Sequence, residues 1–571
     1  MALRGFAARM ARAKAGFVSA RPLYLLGGLN EDENPRAVPP GDLVRAINTA
    51  RNGSLTGTRP GVTYGDADWN EAHSSGAAVQ GIHQYSWGAG ANRKIVAVIN
   101  GNVYDEVGGT LIDKTATSIE AGASYQWTFA DFQDKMFAAG GDTASDGVWY
   151  WDGTNPLGEI NFSFTTSPKY IFEKWNFLFV SGLTGSSYDD NPMVWRYCDY
   201  GSDATDVANW PSTNVIPGQL LNENFGVGSY GGEYSTGMGE FSGKDADFML
   251  LLTNKRIFVM GQNDPGLITG SETAFASVST IPVGCVSQNA FVNLGADAGD
   301  AVFLSQDGVH SLARSRQYGD NESAYLSWKI RSTWQTLNRS RLDEAWGAYW
   351  PSEGMVIFSV ATGSSATNNL LLVMDIKGLQ NITPDAVRWY KWELNGITPN
   401  CLRLCRGSDN RPYVYVGGTA GEVCRFDRDT YQDLSSSGTI AMDFITKHDD
   451  FELPSKDKKI GDCFVVLRGS GGGTVQHTIM EDDGRKAGYT SALDVPASAA
   501  TWGAGNGTWG VSQWGGESAI ARHRVPATGS SVTVGHRFTR TAANAPVFIG
   551  LIDQQIDGGG STQDANANTG S

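Results

Sequence analysis

The amino-acid sequence predicts an all-β chain: a six- or seven-bladed β-propeller, a C-terminal β-sandwich platform domain, and an extended N-terminal arm. Three observations predict it. Glycine is abundant, at 71 of 571 residues, and 17 Trp, 20 Tyr and 24 Phe accompany it. Glycine supplies turns and aromatics pack on pleated surfaces, so the composition favours many short strands over long helices. One strand–turn–strand unit recurs seven times. Beyond about Gly438 the recurrence stops, and strand-like runs follow between Gly/Ser/Pro loops.

The first copy of the unit is KIVAVINGNVYDE, Lys94 to Glu106. An apolar run enters Asn100-Gly101, a pair that favours a type I′ hairpin because both turn positions need φ > 0. The same order returns in KMFAAGGDTASDGVWYW, NFLFVSGLTGSSYDDNPMVWRY, FMLLLTNKRIFVM, AVFLSQDGVHSL, GMVIFSVATGSSATNNLLLVMD and YVYVGGTAGEVCRF. The apolar residue after each turn is Val103, Val148, Val194, Ile257, Val309, Val373 and Val423, giving steps of 45, 46, 63, 52, 64 and 50 residues. A four-stranded propeller blade takes roughly 40–50 residues plus loop excess. Most hairpins follow another apolar strand, such as GIHQYSW, YQWTFADFQD, KYIFEKW or EAWGAYWPSE, and LIDKT supplies a fourth strand after the first. No WD40 or kelch signature recurs. Stacked hairpins or one large sandwich are the competing arrangements; a radial array is favoured because it protects strand edges.

The resulting division is an N-terminal arm and platform-associated segment at 1–75, the propeller at 76–437, the sandwich at 438–555 and a disordered tail at 556–571. In the sandwich, Cys463 to Leu467, VQHTIMEDD, SSVTVGHRFTRT and APVFIGLIDQQI are the strand-like runs. The segment GGLNEDENPRAVPPGDLVRAINTARNGSLTGTRPGV reads as an extended stretch pinned to a neighbour, with one short helix over Asp42 to Ala50.

The formal net charge is −16, from 44 Lys+Arg against 60 Asp+Glu. That argues against gripping nucleic acid by its phosphates but suits a smooth channel through which DNA slides. Cys198, Cys285, Cys401, Cys405, Cys424 and Cys463 form no CxxC pair, and no His flanks Cys401 and Cys405, so buried free thiols are expected and no metal ligand set is assigned. No apolar run reaches the ~18 residues of a membrane helix. The N-terminus carries Arg4, Arg9, Arg12 and Lys14 among apolar residues without an acid. It reads as an arm that orders on a partner, with an amphipathic transit peptide as the other reading.

No enzyme chemistry emerges from the motifs, and no catalytic residue or cofactor is assigned. The seven histidines form no HExxH and lie near no GxSxG elbow, and no glycine-rich stretch is a phosphate loop. Asp189-Asp190, Asp449-Asp450 and Glu481-Asp482-Asp483 read as solvated turns. SQDGVHSL resembles a sialidase Asp-box only in part: it lacks the later Trp and does not recur. Trp502, Trp509 and Trp514 fall in the glycine-rich TWGAGNGTWGVSQWGG. Indoles there would stack on sugar rings or anchor the loop to the sandwich or to a neighbouring subunit.

The run from Gly27 to Val62 resembles the opening of tail-hub proteins of short-tailed bacteriophages, also called nozzle, tail accessory factor or packaged-DNA stabilisation proteins. Gly27, Gly28, Leu29, Asn30, Pro40, Gly41, Asn48, Arg59, Pro60 and Gly61 carry the match. VQGIHQYSWGAGANRKIVAVINGNVYDEVGG is similar to the family's first blade, and DFELPSKDKKIGDCFVVLRG to a strand pair of its platform. The resemblance implies a structural virion protein of the viral tail, not an enzyme. It implies a homo-oligomeric ring, usually a hexamer, below the portal and adaptor ring. Such a ring continues the DNA channel without sequence-specific contacts, retains packaged genome until DNA ejection, and carries tail fibres or spikes. Virus assembly would take place in the host bacterial cytoplasm. A receptor- or glycan-binding β-propeller is one alternative, and an enzyme using a propeller pocket, such as a glycosidase with paired carboxylates, is another.

Overall fold

The computed structural model describes residues 18–557 apart from connecting segments, the longest of which are 115–125, 184–192, 218–230, 263–274 and 497–518. The chain divides into two compact units. One joins residues 1–61, 388–395 and 428–571; the other comprises 62–387 and 396–427.

The larger unit is a β-propeller. Its described residues form seven blades of antiparallel strands, consecutive in sequence except for the last strand of blade seven. Blade one is Val79–Trp87, Asn92–Ile99, Asn102–Val107 and Thr110–Asp113. Blade two runs through Thr128–Phe132, Lys135–Ala139, Val148–Trp151 and Gly158–Ile160. Blade three has Tyr170–Lys174, Phe177–Ser181, Val194–Tyr197 and Val215–Pro217, and blade four Ser235–Ser242, Asp247–Thr253, Ile257–Gln262 and Phe275–Ile281. Blades five and six each contribute three strands: Phe291–Asn293, Ala301–Leu304 and Val309–Ser311, then Trp346–Trp350, Met355–Val360 and Leu370–Asp375. Blade seven consists of Pro399–Arg406, Pro412–Gly418 and Val423–Asp427, completed by Gly61–Tyr64 from the N-terminal end of the unit. All seven repeat markers fall in the third strand of their blades.

The first strands lie side by side around the ring, and that of blade seven meets that of blade one, closing the circle. There Asn400 Nδ2 donates to the Val79 carbonyl at 2.8 Å. Apolar side chains are buried between successive blades. Tyr85, Val96 and Val98 pack with Trp127, Met136 and Trp151 of the next blade. Phe137, Leu178 and Val180 join blades two and three, and Phe179, Trp195, Leu251 and Phe258 join three and four. Burying each such side chain contributes about 1.5–3 kcal/mol, which holds the blades together.

Side-chain hydrogen bonds link blades that are not neighbours in the ring. The 3₁₀ turn Gln288–Ala290 precedes blade five. Gln288 Nε2 donates to the Ile171 carbonyl of blade three at 2.8 Å, and its Oε1 accepts from the Met238 amide of blade four at 3.1 Å. Asn289 Nδ2 reaches the Trp127 carbonyl at 3.3 Å. The Trp346 indole of blade six donates to Gln126 Oε1.

The smaller unit is a β-sandwich. One sheet has the order Ala519–Val525, Lys458–Gly469, Val547–Asp557, Leu55–Thr58 and Thr49–Asn52. The other runs Arg388–Trp392, Asp42–Ile47, Ile440–Thr446, Val534–Ala542, Thr474–Glu481 and Lys486–Asp494. Burial alternates along these strands, as two inward-facing sheet surfaces require. Cys463, Val465 and Leu467 point inward from the first sheet, and Val475, His477, Ile479 and Phe538 are buried in the second.

Three expectations need correction. The N-terminal segment is not an arm laid on a neighbour: the described residues between 22 and 61 pair within their own chain's sandwich, and Gly61–Tyr64 is a propeller strand. Asp42 to Ala50 is not helical. Leu43, Ala46 and Ala50 are buried at helix-like spacing, but Asn48 at φ 53 turns the chain between two strands. The propeller is also not continuous from 76 to 437, because 388–395 and 428–437 belong to the sandwich unit. Within the predicted tail, Ile556 and Asp557 end a strand; 558–571 lie outside the described residues.

Candidate functional site

Blade five departs from the four-stranded pattern. After its third strand the chain forms short helical turns, Leu312–Tyr318, Trp328–Ile330, Arg331–Gln335 and Arg339–Glu344. Between these turns and the hairpin of blade four lies a cleft of about 720 Å³. Lys255, His310, Tyr325, Arg331, Trp334 and Arg339 line it, together with the turn Ser305–Asp307.

Local chemistry makes the walls rigid. Ser305 Oγ accepts from the amides of Asp307 (3.1 Å) and Gly308 (3.2 Å), and Thr253 Oγ1 accepts from Arg256 N at 2.9 Å. Such side-chain-capped turns fix loop geometry. Gly308 has no alternative: a Cβ there would stand 2.1 Å from the Tyr325 ring. His310 is 3% exposed and sits between the Phe303 and Tyr325 rings, with centroids at 5.9 and 5.5 Å. Neither of its ring nitrogens has a partner. Burial pushes its pKa down to about 4, against the weaker pull of Asp307 in the other direction, so the ring is neutral at pH 7.

Three cations (Lys255, Arg331 and Arg339) face one carboxylate, Asp307, beside the flat Trp334 indole. The cleft suits an anionic or hydrogen-bonding group held against an aromatic surface. With a single carboxylate, these lining residues lack the pair that glycoside hydrolysis uses. The stretch SQDGVHSL, only partly like an Asp-box in sequence, supplies Ser305, Gln306, Asp307 and His310 to the lining, and none of the candidate partner-contact residues contributes. Arg4, Arg9, Arg12, Lys14, Trp502, Trp509 and Trp514 all lie outside the described residues. The spacing excess between blades five and six, where 64 residues separate Val309 from Val373, is a second sequence signal that points here.

Two further clusters lie in the sandwich unit. Arg59 and Asp433 form a fully buried ion pair, with Nη1–Oδ1 at 2.9 Å and Nη2–Oδ2 at 2.6 Å. The remaining guanidinium donors go to Asn48 Oδ1 and to the carbonyls of Pro60 and Glu393. Every N–H of the group is therefore satisfied, which a buried charge requires. Beside it, a Cβ on Gly61 would come within 2.1 Å of the Gln432 carbonyl. The second cluster is Cys463, His477 and His536, all buried, each offering one ligand atom within 4.8 Å of the others. His477 Nε2 and His536 Nδ1 share a hydrogen bond at 3.1 Å. Burial lowers the His477 pKa to about 4 and raises the Cys463 thiol to about 12. Sequence reading passed over this set because 14 and 73 residues separate the histidines from the cysteine.

All six cysteines are free and buried, as their scatter predicts. The acids of the 481–483 turn are engaged: Asp483 takes a bidentate contact from Arg36, and Asp482 pairs with Lys486 at 2.6 Å. Among the described residues, no helix is long and apolar enough to cross a membrane.

By strand order and closure this is a β-propeller protein carrying a β-sandwich unit. No family model and no curated protein matches the sequence. Among solved structures, the chain is similar to a BBS1N–ARL6DN complex at 8% identity and TM-score 0.35, over 62% of this chain and 93% of that one. It is similar to the β-propeller domain of Myceliophteria thermophila Cps50 (Swd1) at 11% identity and TM-score 0.38, covering 62% and 97%. A Phanerochaete chrysosporium exo-β-1,3-galactanase matches at 11% identity and TM-score 0.24, covering 77% and 98%.

Proposed function

We propose that the chain is a structural subunit of a short-tailed phage tail, a hub or nozzle that assembles with copies of itself into a six-membered ring below the portal and adaptor. One observation carries this reading: the place taken by the N-terminal run that resembles the family. Its residues are structural joints. Leu29 and Asn30 are buried, Asn48 and Arg59 anchor the interior polar network, and the chain then leaves through Gly61 as the closing strand of blade seven. A β-rich platform together with a β-propeller is the organisation that the resemblance implies.

A closed ring needs head-to-tail interfaces. Seven blades packed in a circle offer each neighbour a stiff surface. Gln288, Asn289 and Trp346 brace the propeller by hydrogen bonds to distant blades, and DNA passes through the lumen of the ring. A net charge of −16 leaves the subunit with little overall attraction for the phosphates that pass. The basic stretch from Arg4 to Lys14 contacts the ring above or the DNA.

Phage lacking this chain are expected to fill their heads and then lose the genome, and the chain supplied in trans restores retention. Normal DNA retention without it would reject the role. Removal of residues 1–20 separately tests the basic stretch, which has no such role if particles still form and keep their DNA.

The cleft beside blade five favours a second reading, a ligand- or glycan-binding propeller. Glycan-array binding that disappears in Arg331→Ala or Trp334→Ala, or on substitution of Trp502, Trp509 and Trp514, would favour it over the hub.

A further inference from the structure

We propose that Cys463, His477 and His536 bind a zinc ion that ties the two sheets of the sandwich unit together. The three residues come from separate strands. Cys463 stands on Lys458–Gly469 of one sheet; His477 and His536 stand on Thr474–Glu481 and Val534–Ala542 of the other. Their donor atoms converge within 4.8 Å in the interior, where Cys463 and His477 are fully buried and His536 is 4% exposed.

Apolar packing alone does not account for this set. The His477 ring stacks on Phe538 at 4.6 Å, a place that any aromatic side chain would fill. Two imidazoles instead bring polar atoms into the core, and their mutual hydrogen bond satisfies only one nitrogen of each. Polar ring atoms facing one another in a core cost stability unless something compensates them.

The donor types select the ion. One sulfur and two imidazole nitrogens, with no carboxylate in the cluster, suit a borderline-soft divalent ion and disfavour magnesium and calcium, which take oxygen ligands. Zinc also fits the spacing of the two imidazole nitrogens. Two nitrogens each ~2.1 Å from a tetrahedral ion stand ~3.4 Å apart. The 3.1 Å between His477 Nε2 and His536 Nδ1 needs to open by only a few tenths of an ångström. On binding, the Cys463 thiol gives its proton to solvent and ligates as thiolate, while each histidine ligates through an unprotonated nitrogen. No redox step is involved.

The test uses the full chain. Protein purified without chelator is expected to carry about one zinc per chain by elemental analysis. A strong zinc chelator should remove it and lower the melting temperature, and added zinc should restore both. Cobalt substituted for zinc should give the intense near-ultraviolet band of a cobalt–thiolate bond. Cys463→Ser is expected to fold, by circular dichroism, and to lack that band. His477→Gln and His536→Gln should weaken zinc binding at least tenfold. A folded wild-type chain that takes up neither zinc nor cobalt would overturn the proposal. So would a cobalt spectrum unchanged in Cys463→Ser.

Discussion

The propeller and the sandwich solve the problem of building a β core in opposite ways. In the propeller, each cluster of buried side chains comes from two blades that follow one another in sequence, as Phe137, Leu178 and Val180 do. The sandwich is assembled from three pieces of chain, and 374 residues separate Arg59 from the Asp433 it pairs with. Its interior holds that ion pair and the Cys463, His477 and His536 cluster. A radial repeat can rely on local apolar packing between successive blades, and it joins distant segments at its closure, where blade seven meets blade one and takes in Gly61–Tyr64. A sandwich that must collect distant segments gains specificity from polar groups that fit only one arrangement, since an unpaired buried charge penalises the alternatives.

The largest effect that would sharpen this contrast is expected at Arg59. Arg59→Met leaves Asp433 buried without its cation and should cost about 3–5 kcal/mol, read as a lower urea midpoint for the sandwich. Adding Asp433→Leu should return much of that stability; a double variant no better than the single would break the argument. Next comes Leu178→Ala, with an expected cost of about 3 kcal/mol from lost burial and the cavity left behind. Hydrogen exchange should quicken in blades two and three and remain slow in the sandwich, and uniform quickening would contradict local packing.

Acid probes the propeller through His310. Its pKa falls to about 4 on folding, from an unfolded value of 6.5, because burial disfavours the charged ring. The neutral ring's contribution is complete above pH 6.5 and is lost as pH falls through 6.5 toward 4, at about 1.4 kcal/mol per pH unit. His310→Phe should flatten that part of the stability profile, whereas an unchanged slope would exclude the histidine as its source. The smallest effect is expected at the solvent-facing pair of Arg45 with Asp443, at 2.7 Å. Arg45→Ala should change sandwich stability by no more than about 1 kcal/mol, because exposed ion pairs contribute little. A larger loss would place this pair with the buried network.

The same contrast explains what the sequence made legible. Repetition revealed the blades: the markers from Val103 to Val423 each fall in a third strand. Asn100 and Gly101 adopt the positive φ angles, 51° and 77°, that their hairpin reading requires. Gln133-Asp134 and Trp175-Asn176 make the same turn with φ above 0 and carry no glycine, so side-chain identity alone did not announce them. The closing strand Gly61–Tyr64 was hidden because its partner, Val423–Asp427, lies over 350 residues away. The excursion of four helical turns after Val309 registered only as an overlong step, and the cleft it builds gathers Lys255, Arg331, Trp334 and Arg339, which belong to no motif, beside SQDGVHSL. Cys463, His477 and His536 were invisible for a related reason: strand pairing, not sequence proximity, brings them together.

Ring formation is the claim on which the functional account turns, and native mass spectrometry of the purified full-length chain tests it most directly. The account predicts a closed assembly at six times the 61.2 kDa chain mass, alone or together with portal and adaptor proteins. A chain that stays monomeric at every concentration, and also in the presence of those partners, would contradict it.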